Sequence, residues 1–341
     1  DTEVIPHLIE EYYDGDLEKA VRKTIERLEG AYALVILSAE EPDKLITVRE
    51  DSPLIIGLSE EEYFIASDIP AILKYTDQVY ILDDGEMAVI TRDGVKLSTV
   101  EGEKVEKDIF KVDWDPGMAE KGGFDHFMLK EIHEQPEALR RAIAGRLKEK
   151  DIEFADVNLT ANELKDYNKV YIVACGTAYH SGLVGKYAIE KLARMPVEVD
   201  VASEFRYRDP LVDDKTLVIV VSQSGETADT LAGLREAQDR GARVLAVCNT
   251  VGSTIAREAD DVIYIHAGPE IAVASTKAYI TMLAAFYMLA IYFGRAKDLL
   301  DDKESRKLIA DLNQIPNQVE SIIEDSEVEI KKLAKDYANQ E

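Results

Sequence analysis

The sequence predicts a doubly wound α/β domain with a five-stranded parallel sheet, preceded by a smaller α+β domain. Three observations carry this. From about residue 160 onward, short apolar runs alternate with helical patterns, as strands joined by crossover helices do. Between residues 31 and 91 the runs are short, separated by turn residues and antiparallel in character. The chain has 341 residues, 46% of them hydrophobic, enough for two cores.

Residues 1 to about 29 read as helical, because Leu17, Val21, Ile25 and Leu28 recur at intervals of three and four and Gly30 follows as a stop. Strand-like runs then come at Ala31–Leu37, Lys44–Arg49, Leu54–Leu58, Tyr63–Ser67, Gln78–Leu82 and Glu86–Thr91. Asp84-Gly85 between the last two reads as a hairpin turn. Asp68-Ile69-Pro70 reads as the start of a short helix with Asp68 as its N-cap. Residues 92 to about 130 are polar and irregular, with Pro116-Gly117 and Gly122-Gly123, and read as a linker or wrapping segment anchored by the lone Trp114. A helix is expected from about Pro136 to Lys150, with Leu139, Ile143 and Leu147 on one face.

The parallel strands are expected at Lys169–Ala174, Val197–Val201, Thr216–Val221, Val244–Cys248 and Val262–His266. Residues 296 to 338 read as a charged helix with Leu308, Ile309, Leu312 and Ile315 as one stripe. The domain boundaries are therefore set at 1–120, 121–150 for a linker and helix, 151–300 for the parallel domain, and 301–341 for the terminal helical segment.

Composition excludes some functions. Forty basic residues against 67 acidic ones give a net charge of −27, which argues against non-specific binding to nucleic acid or an anionic membrane and suits a cytoplasmic protein. Cys175 and Cys248 follow apolar runs and read as reduced core thiols. The two Cys and five His residues show no metal-ligand spacing, so neither metal nor cofactor is expected. The longest apolar stretch, Ile280 to Phe293, falls short of the roughly 20 residues that span a bilayer and reads as a buried helix. No signal-peptide pattern is visible, and a start at Asp1 already inside a pattern suggests a fragment or processed chain.

The chemistry is concentrated in three loops. Val218-Ile219-Val220-Val221 runs into Ser222-Gln223-Ser224-Gly225-Glu226-Thr227, and a helical pattern follows. A buried strand thus empties into hydroxyls, an amide side chain and unpaired backbone N–H groups at a helix start, a setting suited to a dianion. The segment has no P-loop lysine and no G-x-G-x-x-G spacing, so a nucleotide is not the first expectation. Cys175-Gly176-Thr177-Ala178 follows the first parallel strand, and Ala267 to Lys277 follows the fifth. Each combines small residues with hydroxyl donors, and all three fall at the carboxyl edge of the sheet, where doubly wound domains bind ligands. A cluster of neutral donors suits a phosphomonoester on a small polar metabolite.

These loops resemble the sugar isomerase (SIS) fold, in which Ser-Gln-Ser-Gly-Glu-Thr cradles a sugar phosphate. The order of Cys175-Gly176-Thr177, Val201-Ala202-Ser203-Glu204-Phe205-Arg206-Tyr207, Ser222 to Thr230 and Val273-Ala274-Ser275-Thr276-Lys277 narrows the resemblance to the glutamine–fructose-6-phosphate aminotransferases (isomerising). Lys130 to Pro136 resembles that family's interdomain linker. Gly30-Ala31-Tyr32, Ser52-Pro53-Leu54 and Ala66-Ser67-Asp68 resemble the later part of its N-terminal-nucleophile glutaminase domain. The resemblance implies glutamine-dependent amination and isomerisation of fructose 6-phosphate to glucosamine 6-phosphate, in a homodimer. It implies that Thr177, Ser222, Gln223, Ser224 and Thr227 hold the phosphate, that Val273 and Ser275 touch the sugar, and that Asp1 grips glutamine. It also implies that the nucleophilic cysteine, the glutamate base, the ring-opening histidine and the Schiff-base lysine lie outside residues 1–341. No catalytic residue is therefore assigned, and a polypeptide with these ends is expected to bind phosphosugar without turnover. Ala178 stands where many members carry Ser.

Blander readings attach to the remaining polar residues. Glu204 and Arg206 read as a structural pair. His133 reads as interfacial or as solvated. His180 reads as outside the pocket, Lys277 as structural at a helix start, and Glu270 as an exposed loop carboxylate. The alternative function is a non-catalytic phosphosugar-sensing SIS module, which would carry a basic helix-turn-helix before the domain.

Overall fold

The computed structural model describes residues 2–60, 62–112 and 120–338 and contains two compact units, Asp1–Glu120 and Lys121–Glu341. The expectations placed on Asp1, Trp114 and Pro116-Gly117 lie outside the described residues.

The first unit begins with two helices rather than one, α1 (Val4–Tyr12) and α2 (Leu17–Ile25). Gly15 at φ +101° breaks the run, and the Asp16 carboxylate restarts it by accepting from the Lys19 N–H at 3.2 Å. The strands are β1 (Tyr32–Leu37), β2 (Lys44–Glu50), β3 (Ile55–Leu58), β4 (Tyr63–Ala66), β5 (Gln78–Ile81), β6 (Glu86–Thr91), β7 (Gly94–Thr99) and β8 (Phe110–Lys111). They form two antiparallel sheets, ordered β1-β2-β6-β7 and β4-β3-β5-β8. Strand alternation sorts the core: Ile46, Val48 and Met87 pack against α1 and α2, whereas Ala88 and Ile90 meet Leu54, Ile56 and Leu82 of the other sheet. The Asp68 carboxylate caps a short 3₁₀ turn, Ile69–Ala71, as expected.

Asp84-Gly85 does not close a hairpin, because β5 and β6 belong to different sheets. The Asp84 carboxylate instead accepts from Arg49 Nη2 at 2.5 Å and from the Asp51 N–H at 2.8 Å, fixing a guanidinium that is 1% exposed. The hairpin lies one strand later, where Thr91 pairs with Gly94 across Arg92-Asp93. Strands β7 and β8 thus replace part of the expected irregular segment. Only Val95 and Leu97 of β7 reach the core, so its polar alternate positions masked it.

In the second unit, α3 spans Phe127–Ile143 with Pro136 inside it. It therefore begins nine residues before the expected start and ends at Ile143. Proline removes one intrahelical donor, but the helix continues because Glu131, Leu139 and Ala142 are buried on one side of it. Residues 130–136, which resemble a linker, are the middle of this helix.

The remaining elements are α4 (Ala161–Asp166), β9 (Lys169–Ala174), α5 (Gly176–Ala193), β10 (Val197–Val201), α6 (Ala202–Phe205), β11 (Thr216–Ser222), α7 (Ala228–Asp239), β12 (Arg243–Cys248), α8 (Thr254–Glu258), β13 (Asp261–Tyr264), α9 (Lys277–Ala296) and α10 (Asp302–Tyr337). All five strands pair in parallel, in the order β10-β9-β11-β12-β13. The expected doubly wound sheet is present, with its switch point between β9 and β11.

One face of the sheet is covered by α5 and α9, the other by α6, α7 and α8. Helix α9 is 20 residues long and apolar enough to cross a bilayer by length and composition, six residues longer than the apolar stretch suggested. Its most apolar window, however, is 72% buried within the fold, with Phe286, Leu289 and Phe293 in the core. A Cβ on Gly185 would lie 2.5 Å from the Phe286 ring, and one on Gly294 would lie 2.8 Å from the Leu192 carbonyl oxygen. Helices α5 and α9 therefore run parallel and in step, which brings their N-terminal ends side by side. On α10, Ile309 is buried, and with Leu308, Leu312 and Ile315 it packs on α3 and α9 as the expected stripe.

Candidate functional site

Three helices, α5, α7 and α9, begin at the carboxyl edge of the parallel sheet, and the three expected loops lead into them. The central loop is the most constrained. Ser222 is 2% exposed; its Oγ accepts from the Gly225 N–H at 2.9 Å and lies 3.0 Å from Thr227 Oγ1. Ser224 Oγ accepts from the Glu226 N–H at 3.2 Å. Thr227 is the N-cap of α7, yet its side chain makes no cap hydrogen bond. Its hydroxyl is turned toward Ser222, leaving the first backbone donors of α7 without the usual side-chain acceptor.

Gly225 is required here on two grounds. Its φ is +71°, and a Cβ would fall 2.0 Å from Ser253 Oγ and 2.7 Å from Cys248 Sγ. The loop is thus folded down onto the residues after β12. Glu226 Oε1 accepts from the Thr254 N–H at 2.8 Å, and the Ile255 N–H donates to the Gly225 carbonyl at 3.0 Å. Cys248 is fully buried, 3.4 Å from Ser253 Oγ, and burial pushes its thiol pKa up to about 11. It packs as a small core residue. Both cysteines are free thiols, Cys248 buried and Cys175 half-buried.

The first loop enters α5 directly: Cys175 is the N-cap, Gly176 has φ +54° and Thr177 is exposed. Thr230 Oγ1 lies 3.9 Å from Cys175 Sγ, which links this loop to α7. The third loop is tied in by Asn249, which is 3% exposed. Its Nδ2 donates to the Gly268 carbonyl at 2.8 Å and its Oδ1 accepts from the Ala267 N–H at 2.8 Å. Val273 stands fully exposed in this loop, while Ser275 Oγ and Thr276 Oγ1 are buried with no hydrogen-bond partner among the described residues. Gln223 is half-buried, and its carbonyl lies 3.4 Å from Thr250 Oγ1.

Several secondary readings change. Glu270 is no free loop carboxylate: its Oε1 accepts from the Thr276 and Ala278 N–H groups at 2.8 and 3.2 Å and so caps α9. Arg206 pairs with Asp229 at 3.1 Å rather than with Glu204. His133 is interfacial, with Nδ1 2.8 Å from the Leu129 carbonyl and Nε2 3.4 Å from Glu327 on α10. Lys277 has the structural setting expected of it, 2% exposed with Nζ 2.6 Å from Glu134. His180 is exposed.

Sequence reasoning missed Asn249, Glu131 and Glu134. Asn249 directly follows the apolar strand that ends at Cys248, and a buried side-chain amide there must find backbone partners. Glu131 and Glu134 stand three apart on one helix, a spacing that points two carboxylates the same way once the helix is drawn from Phe127.

A parallel sheet with this loop set, joined to a two-sheet α+β unit, defines an SIS domain protein with an amidotransferase-type partner domain. The SIS domain model matches residues 163–292, and the glutamine amidotransferase domain model matches residues 1–74. Over 98% of its length the chain is 57% identical to the glutamine–fructose-6-phosphate aminotransferase (isomerizing) of Clostridium tetani, covering 55% of that protein. Over 95% of its length it is 50% identical to that of Thermus thermophilus, covering 53%. Among solved structures it resembles the C-terminal domain of glucosamine-fructose-6-phosphate aminotransferase from Francisella tularensis. That match has a TM-score of 0.62 and 37% identity, over 65% of this chain and 62% of that one. The chain spans about half the length of these curated relatives, and its likeness to them runs over nearly all of its own length. The sensing alternative called for a helix-turn-helix before the domain; the first unit is instead a pair of antiparallel sheets.

Proposed function

We propose that the second unit is the phosphosugar-binding part of an enzyme that aminates and isomerises fructose 6-phosphate to glucosamine 6-phosphate with glutamine as nitrogen donor. The observation that carries the binding claim is the Ser222–Thr227 hydroxyl pair at 3.0 Å, held over the open N-terminus of α7 by an obligatory glycine. Ser222, Gln223, Ser224 and Thr227, with Thr177 from the head of α5, hold the phosphate. Hydroxyls and backbone N–H groups supply neutral donors, and the aligned peptide dipoles of the helices favour the dianion. Val273 and Ser275 meet the sugar. The names of the relatives support the choice of fructose 6-phosphate and glutamine as substrates. In the same reading Asp1 takes the glutamine amino group, the protein is a cytoplasmic homodimer, and the domain limits are 1–120 and 151–300 joined by 121–150, with 301–341 leading out of the SIS domain.

Calorimetric titration tests the binding claim. Fructose 6-phosphate should bind, whereas fructose should not. A Ser222→Ala/Thr227→Ala chain should bind at least roughly tenfold more weakly, since each hydrogen bond to a charged group contributes about 1.5–3 kcal/mol. Equal affinity for fructose and fructose 6-phosphate would sink the phosphate assignment.

A further inference from the structure

The loop from Ala267 to Thr276 has a second set of supports, and they come from α3. Glu131 is 2% exposed, and its Oε1 accepts from the backbone N–H groups of Ile271 at 2.7 Å and Ala272 at 3.1 Å. One turn further along, Glu134 receives the buried Lys277 ammonium at 2.6 Å, and Lys130 Nζ lies 3.4 Å from its other oxygen. Four charged groups, two of each sign, therefore meet around one short loop, with Glu131, Lys130 and Lys277 buried and Glu134 half-buried. Such burial is expensive and persists only where geometry is tightly set. The two amides that Glu131 holds immediately precede Val273. Glu131 Oε2, Ser275 Oγ and Thr276 Oγ1 are all buried without a partner among the described residues, so this region keeps polar capacity that the fold itself does not use.

We infer that Glu131 is a positioning residue: by gripping the Ile271 and Ala272 amides it sets the conformation in which Val273 and Ser275 meet the sugar portion of the ligand. The inference rests on the phosphosugar reading above. It separates two jobs within the site. The Ser222–Thr227 loop and the head of α5 bind phosphate, and the contacts that shape them run to the residues after β12 and to α7. The sugar end of the site depends on α3, through the two backbone amides that Glu131 holds.

The test compares two probes on the full chain, fructose 6-phosphate and inorganic phosphate, by calorimetry or ligand-detected NMR. In Glu131→Ala, fructose 6-phosphate should bind roughly tenfold or more weakly, the scale expected for losing hydrogen bonds to a charged acceptor. Inorganic phosphate should bind within about twofold of the unmutated chain, because its loop is untouched. Glu131→Gln, which keeps the volume and one neutral acceptor, should fall between and covers the case in which the alanine variant fails to fold. A general structural role would weaken both probes together, which would overturn the inference, as would undiminished fructose 6-phosphate binding in both variants. If Ser222→Ala/Thr227→Ala leaves phosphate binding intact, the phosphate reading fails and the inference falls with it. If that variant abolishes phosphate binding while Glu131→Gln and Glu131→Ala bind both probes normally, only the inference fails.

Discussion

Gly225 shows how much of this site is decided by single atoms. Its neighbours Ser222 and Thr227 would serve any helix start as ordinary caps. What turns them into a paired donor set is the tight turn between them, and that turn excludes a side chain. Gly225→Ala would put a methyl group within 2.0 Å of Ser253 Oγ at a backbone φ of +71°. Overpacking and left-handed strain together should destabilise the second unit by about 2–4 kcal/mol. A denaturant titration should show a lower midpoint with an unchanged slope. An unshifted midpoint would mean that the loop relaxes freely and is not the rigid cradle described above. Ser222, Ser224 and Thr227 were readable in the sequence because a run of β-formers ends abruptly in hydroxyls. Glu270 and Asn249 were not, because each acts through backbone groups of a loop whose path no periodicity encodes.

At the scale of elements, the parallel sheet was the most legible part of the chain. Strands buried on both faces, such as Val218 to Val221, leave no other reading. The antiparallel unit was less legible where pairing partners are distant in sequence. Asp84-Gly85 has the residues of a hairpin turn, yet Asp84 is engaged with a buried guanidinium 35 positions away. Asp84→Ala would leave Arg49 with its Nη1 bond to the Leu82 carbonyl but without a carboxylate. That should cost the first unit about 3 kcal/mol, the scale for stripping one partner from a buried pair. Arg49→Leu added to Asp84→Ala should recover part of the loss. A stability loss below about 0.5 kcal/mol for Asp84→Ala would place the pair among ordinary surface ion pairs. Helix α3 was misread for a different reason. Pro136 is a good first-turn residue, and only burial of the preceding turns keeps a helix running through it.

At the scale of the whole molecule, a chain of net charge −27 is a poor general receptor for anions. The candidate site answers this locally, with helix N-termini and neutral donors gathered at one sheet edge, rather than with a cluster of lysines and arginines. The second unit also has an alternative location. A cavity of about 540 Å³ beside β13 is lined by Arg146 and His266, with Glu153 and Asp156 in the same lining. Burial, with Arg146 and Arg141 close by, lowers the His266 pKa and disfavours its cationic form. The two locations sit at different places on the same domain, so they make opposing claims about where a phosphosugar binds. The most direct test is the crystal structure of the chain with fructose 6-phosphate bound. The phosphate oxygens should lie within hydrogen-bonding distance of Ser222 Oγ, Thr227 Oγ1 and the first backbone N–H groups of α7, with the sugar against Val273 and Ser275. Phosphate density beside Arg146, with the Ser222–Thr227 loop unliganded, would contradict it.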